Sequence, residues 1–203
     1  MIVLAEMEDG SLRSNLMIKR YNPNDKYRNL FHVAESLSAL HKCNLVHGDL
    51  HSGNLLLYGQ EYMRISDLGL SKPVDKSNKS NEIYGVLPYV APEVLLGNSY
   101  TKADDVYSFG IIMWEMTSGI PAFNNIPHDF NLCLKVCQGL RLDIIEDTLP
   151  EYVELMKKCW DPDLNRRPTA EELIKYFKSW QEEYYDSDDE RVSVPGNYIY
   201  NIS

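Results

Sequence analysis

The sequence has no apolar run near the length a membrane span requires, and no apolar leader with a basic flank at its start. It is poor in cysteine: Cys43, Cys133, Cys137 and Cys159 show no C-x-x-C pattern. Reduced thiols in a cytoplasmic, or nuclear, compartment are therefore expected. Cys133 and Cys137 fall one helical turn apart but lack nearby paired ligands, so they read as core filling rather than as a metal site. Positive charge is scarce too. The 20 Lys and Arg face 30 Asp and Glu, for a formal charge of −10 and a pI of about 4.9. That balance argues against sequence-independent binding of nucleic acid or of an anionic membrane, so neither is expected as a partner, although a local basic patch stays compatible with it. No internal repeat is visible. What remains is a chain of 203 residues with 44% apolar content, which suits one globular domain with a real core and room for a tail.

Chemistry concentrates in one stretch, His47-Gly48-Asp49-Leu50-His51-Ser52-Gly53-Asn54, followed by Leu55-Leu56-Leu57 and then by Asp67-Leu68-Gly69. Between Asn54 and Asp67 the residues read as a short hydrophobic hairpin, Leu55 to Ile65, turning at Tyr58-Gly59-Gln60. Such a hairpin brings Asp49, Asn54 and Asp67 toward one place. An amide and a carboxylate are hard oxygen ligands that suit Mg²⁺, which keeps waters and takes its other ligands from phosphates. The remaining carboxylate is free to orient a hydroxyl and take its proton. Each motif alone has an ordinary alternative: Asp49 as a turn residue, Asn54 as a cap, Asp67 in a hairpin turn.

With Ala91-Pro92-Glu93 added, the order H-x-D-L-x-x-x-N, D-x-G, A-P-E resembles the eukaryotic protein kinase family. The loop pattern looks most like the tyrosine-kinase-like branch, whose members mostly modify Ser and Thr. The resemblance implies a mainly α fold: the kinase C-terminal lobe, a helical bundle with a small β-hairpin at the catalytic site. It implies ATP and Mg²⁺ as cofactors and a protein as substrate. By the same resemblance Asp49 would accept or orient the hydroxyl proton, with His51 beside it in the catalytic set. Asn54 and Asp67 would hold the metal, and Leu56 would form the floor under the adenine. The opening Met1-Ile2-Val3-Leu4-Ala5-Glu6-Met7 resembles the last strand of the N-terminal lobe and the hinge, so Glu6 and Met7, with Ala5, would meet the adenine edge. Read bare, that run is a buried opening strand. No G-x-G-x-x-G and no V-A-I-K-like run occurs, so the expectation is a partial kinase domain over 1–183 that lacks the N-terminal β lobe.

Three positions depart from the family pattern. Gly48 stands where an arginine usually pairs with an activation-loop phosphate, so a phosphate at Ser71, Ser77, Ser80 or Tyr84 would lose its bidentate partner. Any activity is therefore expected not to depend on activation-loop phosphorylation. His51 stands where serine/threonine kinases carry lysine, and Val86 where they carry threonine. A mostly neutral histidine weakens the charge that faces phosphate. Leu68 for the usual Phe exchanges one apolar residue for another. His47 is expected to pack beneath the site rather than act in it.

The rest reads as helical lobe. Pro23 opens a helix over about 24–42 with Leu30, Val33, Ala34, Leu37, Leu40 and His41 on one face. His41 there reads as a packed core histidine. Residues 72–81 read as a mobile polar loop. Thr101 to Met116 is apolar nearly all round from Val106 and reads as a buried central helix. In the family, Asp105 on it would bond the catalytic-loop backbone near His47, and Glu93 would pair with Arg167. Further helices are expected over 129–137, 151–159 and 170–183. Residues 184–203 begin with an acidic run and read as a solvated, disordered tail.

Two function classes follow. One is an ATP-dependent protein kinase acting on Ser or Thr, or on Tyr. The other is a non-catalytic binding or scaffold module, of the pseudokinase or truncated-lobe kind. In either, apolar surface around Met1–Leu4 and Leu56 is expected to be exposed, and a partner chain at that edge strand would cover it.

Overall fold

In a computed structural model of the chain, the described residues are 9–16, 23–58, 62–74 and 84–185. Ala5, Glu6 and Met7, the loop residues 75–83 and the tail from 186 lie outside them, while the last helix runs to Tyr185, two residues into the segment read as tail. The helices are α1 (Leu12–Asn15), α2 (Pro23–Lys42), α3 (Pro92–Leu95), α4 (Lys102–Ser118), α5 (Phe130–Cys137), α6 (Pro150–Cys159) and α7 (Ala170–Tyr185). The strands are β1 (Leu45–Val46), β2 (Leu55–Tyr58), β3 (Tyr62–Ile65) and β4 (Lys72–Pro73).

Local signals explain the helix ends. Ser11 caps α1 by accepting from the Ser14 N–H at 3.4 Å. Asp129 caps α5 by accepting from the Asn131 N–H at 2.9 Å. Pro150 occupies the first turn of α6, where its missing N–H is not needed. The Asp104 carboxylate accepts from the Thr101 N–H at the start of α4, a bond of capping-box type. At the other end Gly119, at φ +73°, ends α4 with its N–H on the Glu115 carbonyl at 2.9 Å.

α4 is the axle. Every residue from Asp104 to Met116 is buried, as an apolar surface on all sides requires. It meets α6 at Gly110, where an added Cβ would lie 2.7 Å from the Cys159 Cβ. Only glycine permits that approach. Cys159 fills the core here, whereas Cys133 and Cys137, expected to do so, are only half-buried. α2 lies along α7, and Tyr27 and Trp180 join them with ring centroids 5.3 Å apart. Leu30, Val33, Ala34 and Leu37 are buried on the inner face of α2. Burying a leucine of this kind fully contributes roughly 2 kcal/mol.

Two small antiparallel sheets carry the functional loops. β2 and β3 pair in the register Leu55↔Ile65 to Tyr58↔Tyr62, which is the hairpin read from the sequence. β1 pairs with β4 as Leu45↔Pro73 and Val46↔Lys72. The outer edge of β2 is partly covered by the chain itself: Ser11 bridges Leu56, and the Leu57 N–H donates to the Gly10 carbonyl at 2.9 Å. Leu56 is half-buried. The large exposed apolar residues include Leu68, Leu96 and Phe130; Leu56 exposes less than the sequence suggested, and Met1–Leu4 lie outside the described residues.

Candidate active site

The catalytic-loop residues are shaped from below by one carboxylate. Asp105, on the first turn of α4, accepts from the His47 N–H at 2.8 Å and from the Gly48 N–H at 3.0 Å. The His41 Nε2 lies 2.9 Å from the same carboxylate. His41 is therefore more than core filling: it ties α2 to the residue that fixes the loop. Backbone N–H groups leaving a loop must find acceptors when buried, and Asp105 supplies two at once.

His47 is fully buried, as expected, but it is not merely packed. Its Nδ1 accepts from the Asp49 N–H at 3.3 Å, and its Nε2 lies 3.1 Å from the Ser66 carbonyl. That pair of bonds defines a neutral ring with the proton on Nε2. It links the residue before Asp67 to the loop that carries Asp49. Ser66 makes a second link: its N–H and Oγ donate to the Asn54 carbonyl at 2.8 and 2.9 Å.

Asn54 closes the loop on Asp49. Its Nδ2 donates to the Asp49 carbonyl at 2.9 Å and lies 3.3 Å from the Asp49 Oδ2. With the amide nitrogen engaged there, the amide oxygen is the atom left for a cation. Asp67 stands at φ +56°, a left-handed conformation costly for a residue with a Cβ. Its Oδ1 accepts from the Gly69 N–H at 3.1 Å, and its side chain is exposed. Among the described residues no group of three or more His, Cys, Asp or Glu could hold a metal alone. An amide oxygen and a carboxylate nonetheless fit Mg²⁺, which draws the rest of its shell from water and phosphate.

His51 sits beside Asp49. Its Nδ1 accepts from the Gly53 N–H at 3.0 Å, which leaves Nε2 as the donor, 3.6 Å from the Asp49 Oδ1. Burial lowers the His51 pKa and outweighs the pull of Asp49 in the other direction. The ring is thus neutral at pH 7, as the sequence reading held. Val86 and Gly85 line the small cavity beside Asp49, with Gly48 and Tyr100. Leu56 lies on β2, one residue beyond the Leu55 that follows Asn54, with Arg64 opposite it. Leu68 is 57% exposed.

The scaffold pair forms as expected. Arg167 donates to Glu93 through both terminal nitrogens, at 2.6 and 3.0 Å, and its Nε donates to the Asp161 carbonyl at 2.9 Å. Sequence reasoning missed a second buried cluster. Tyr89 donates to Glu115 at 2.6 Å and meets the Ser52 hydroxyl at 2.8 Å, while the Ala122 N–H donates to Glu115 at 2.8 Å. Burial raises the Glu115 pKa above its ordinary value. A Glu inside an apolar helix was the one available sign of it.

A mainly helical lobe with this loop, hairpin and buried Arg–Glu bridge is compatible with a kinase-like fold. A sequence model described as protein tyrosine and serine/threonine kinase matches residues 1–177, and the chain belongs to that family. A probable serine/threonine-protein kinase of Dictyostelium discoideum is 33% identical over 165 residues, 75% of this chain and 9% of the relative. A probable LIM domain-containing serine/threonine-protein kinase of the same organism is 30% identical over 179 residues, 87% of this chain and 27% of the relative. The serine/threonine-protein kinase STY17 of Arabidopsis thaliana is 31% identical over 164 residues, 78% of this chain and 28% of the relative. The chain thus spans less than a third of the length of each of these relatives.

Proposed function

We propose that this chain carries the catalytic and substrate-facing half of an ATP- and Mg²⁺-dependent protein kinase that phosphorylates Ser or Thr of protein substrates. The observation that carries the reading is the closure of Asn54 on Asp49, with Ser66 holding Asn54 from the strand that leads into Asp67. In this reading Asp49 accepts or orients the substrate hydroxyl's proton. Its carboxylate is half-buried, steadied by Asn54 on one oxygen and faced by His51 on the other. Asn54 and Asp67 hold the metal, Leu56 lies under the adenine, and Glu6 and Met7 meet its edge. A Mg²⁺ ion held by those two residues would offset the charge of the phosphates. His51 presents one neutral N–H where a lysine would present a cation, so the rate is modest. The preference for Ser and Thr over Tyr follows the named activity of the relatives. A cytoplasmic or nuclear setting, with no nucleic-acid or membrane partner, belongs to the same proposal.

One observation favours a second reading, a binding or scaffold module: His51 lacks a fixed charge, its pKa lowered by burial. A partner chain along the uncovered part of β2 would then complete the cleft. Phosphate transfer from Mg·ATP to a generic protein substrate separates the two. The kinase reading expects transfer that falls by about 10²–10⁴-fold in Asp49→Asn. Transfer absent from a well-folded sample selects the module, and transfer unaltered in Asp49→Asn removes Asp49 from the role given to it here.

A further inference from the structure

A kinase substrate can meet Asp49 only if the segment around Tyr84–Val90 is held against the catalytic loop. Gly48 supplies no side chain to hold it. The structure shows a different fastening. The Tyr100 hydroxyl accepts from the Tyr84 N–H at 3.2 Å and donates to the Tyr84 carbonyl. One hydroxyl thereby clasps both backbone groups of one residue.

Tyr100 is itself held in place. The Lys72 ammonium lies 4.2 Å from the centroid of its ring and 5.7 Å from that of Tyr84, within reach of the attraction between a cation and an aromatic face. Lys72 is on β4, paired with Val46, the residue directly before His47. The cation that seats Tyr100 is thus anchored on the stem of the catalytic loop. Gly48 closes the circuit. At φ +74°, an added Cβ there would lie 3.6 Å from the Leu70 carbonyl oxygen and 3.9 Å from the Tyr100 Cδ1. Tyr100 occupies the space beside Gly48, and the left-handed backbone favours glycine. Burial also pushes the Tyr100 hydroxyl up to about 12, so it keeps the proton it donates.

We infer that Tyr100, seated by Lys72, is a positioning residue that fastens the activation segment to the catalytic loop without a phosphate. This takes over the role of the arginine–phosphate pair that Gly48 removes. Its effect on rate rests on the kinase reading above; the fastening does not.

Amide hydrogen exchange read by NMR on the phosphatase-treated full chain tests it, because the Tyr84 N–H is itself one of the bonds. Wild type, Tyr100→Phe and Lys72→Met are compared, with the Ile111 and Ile112 amides of α4 as internal reference. Tyr100→Phe keeps the ring and loses only the hydroxyl. The expected result is Tyr84 exchange faster by about tenfold in Tyr100→Phe and by about threefold in Lys72→Met, with the α4 amides unchanged. Tyr84 exchange within about twofold of wild type in Tyr100→Phe overturns the inference. So does acceleration of Tyr84 and α4 together, which would make the hydroxyl an ordinary core contact. In parallel, phosphate transfer by the same samples should fall in Tyr100→Phe whether or not the chain was phosphatase-treated. If wild type shows no transfer, the kinase reading of this chain fails while the exchange rates still decide the fastening.

Discussion

Two sets of carboxylates sit within this fold and are treated in opposite ways. Glu93 and Asp105 have their bonding completed by the chain. Arg167 meets Glu93 with two nitrogens, and Asp105 receives two loop N–H groups and faces a histidine. Asp67, by contrast, is exposed and among the described residues holds only the Gly69 N–H two residues away. Asp49 is steadied by its neighbours, with no charge-neutralising partner among the described residues. The first set shapes the loops, and its charge is answered from within. In the proposed kinase reading the second set keeps oxygen atoms for groups that arrive from outside. A residue that is to hold a metal or take a proton cannot already be neutralised by the scaffold.

The sharpest way to break this contrast is to remove Arg167. Arg167→Ala leaves Glu93 without its cation beside α4, and stability should fall by about 3–5 kcal/mol in urea unfolding. A loss under about 1 kcal/mol would place the pair with ordinary surface bridges. Asp105→Asn comes next. It keeps the shape of the side chain, removes the charge that three groups share, and should cost about 1.5–3 kcal/mol. The loop amides of His47 and Gly48 should then exchange faster than those of α7.

A pH titration sharpens the comparison at Asp104. Burial, and then Glu93 beside it, raises Asp104 to about 8. The unfolded chain releases that proton near pH 4, at about the ordinary Asp value. Between those limits the folded state binds more protons, so stability should fall as the pH rises from about 4 to about 8. Glu115, also raised by burial, acts in the same direction. Glu93 opposes only at lower pH: burial works against its charge, but Asp104 and Arg167 hold its pKa below 4.5, so its contribution is lost only on acidification. Asp104→Asn should flatten the fall in unfolding free energy measured across that window. An unchanged slope would show that Asp104 is already charged at neutral pH. The smallest change in stability is expected at Asp67. Asp67→Ala should alter it by less than about 0.5 kcal/mol, since an exposed carboxylate with one local bond holds nothing together.

The sequence made one side of this contrast easier to see than the other. Long periodic stretches were legible: the helix read over 24–42 is Pro23–Lys42, and the hairpin read from Leu55 to Ile65 pairs in that register. Glu93–Arg167 and the grip of Asp105 on the loop were legible through family resemblance, because their motifs stand intact in the chain. The pairing of β1 with β4 was not, since strands of two residues have no period to read. The Ser52–Tyr89–Glu115 cluster was hidden because its members come from three distant segments and none belongs to a local pattern. His41 was read as packing because its helical face predicts burial and says nothing of the partner on α4. Tyr100 escaped for the same reason: its bonds are to the backbone of Tyr84, and backbone partners leave no mark in the side-chain sequence.

The central claim is that Asp67 is held open for a metal-bound phosphate rather than for the fold. Calorimetric titration of Mg·ATP into the wild-type chain and into Asp67→Ala tests it most directly. Binding to wild type that disappears in an equally stable Asp67→Ala is the predicted result. Equal binding by both proteins would contradict it, and so would a variant that unfolds, which would make Asp67 one more structural carboxylate.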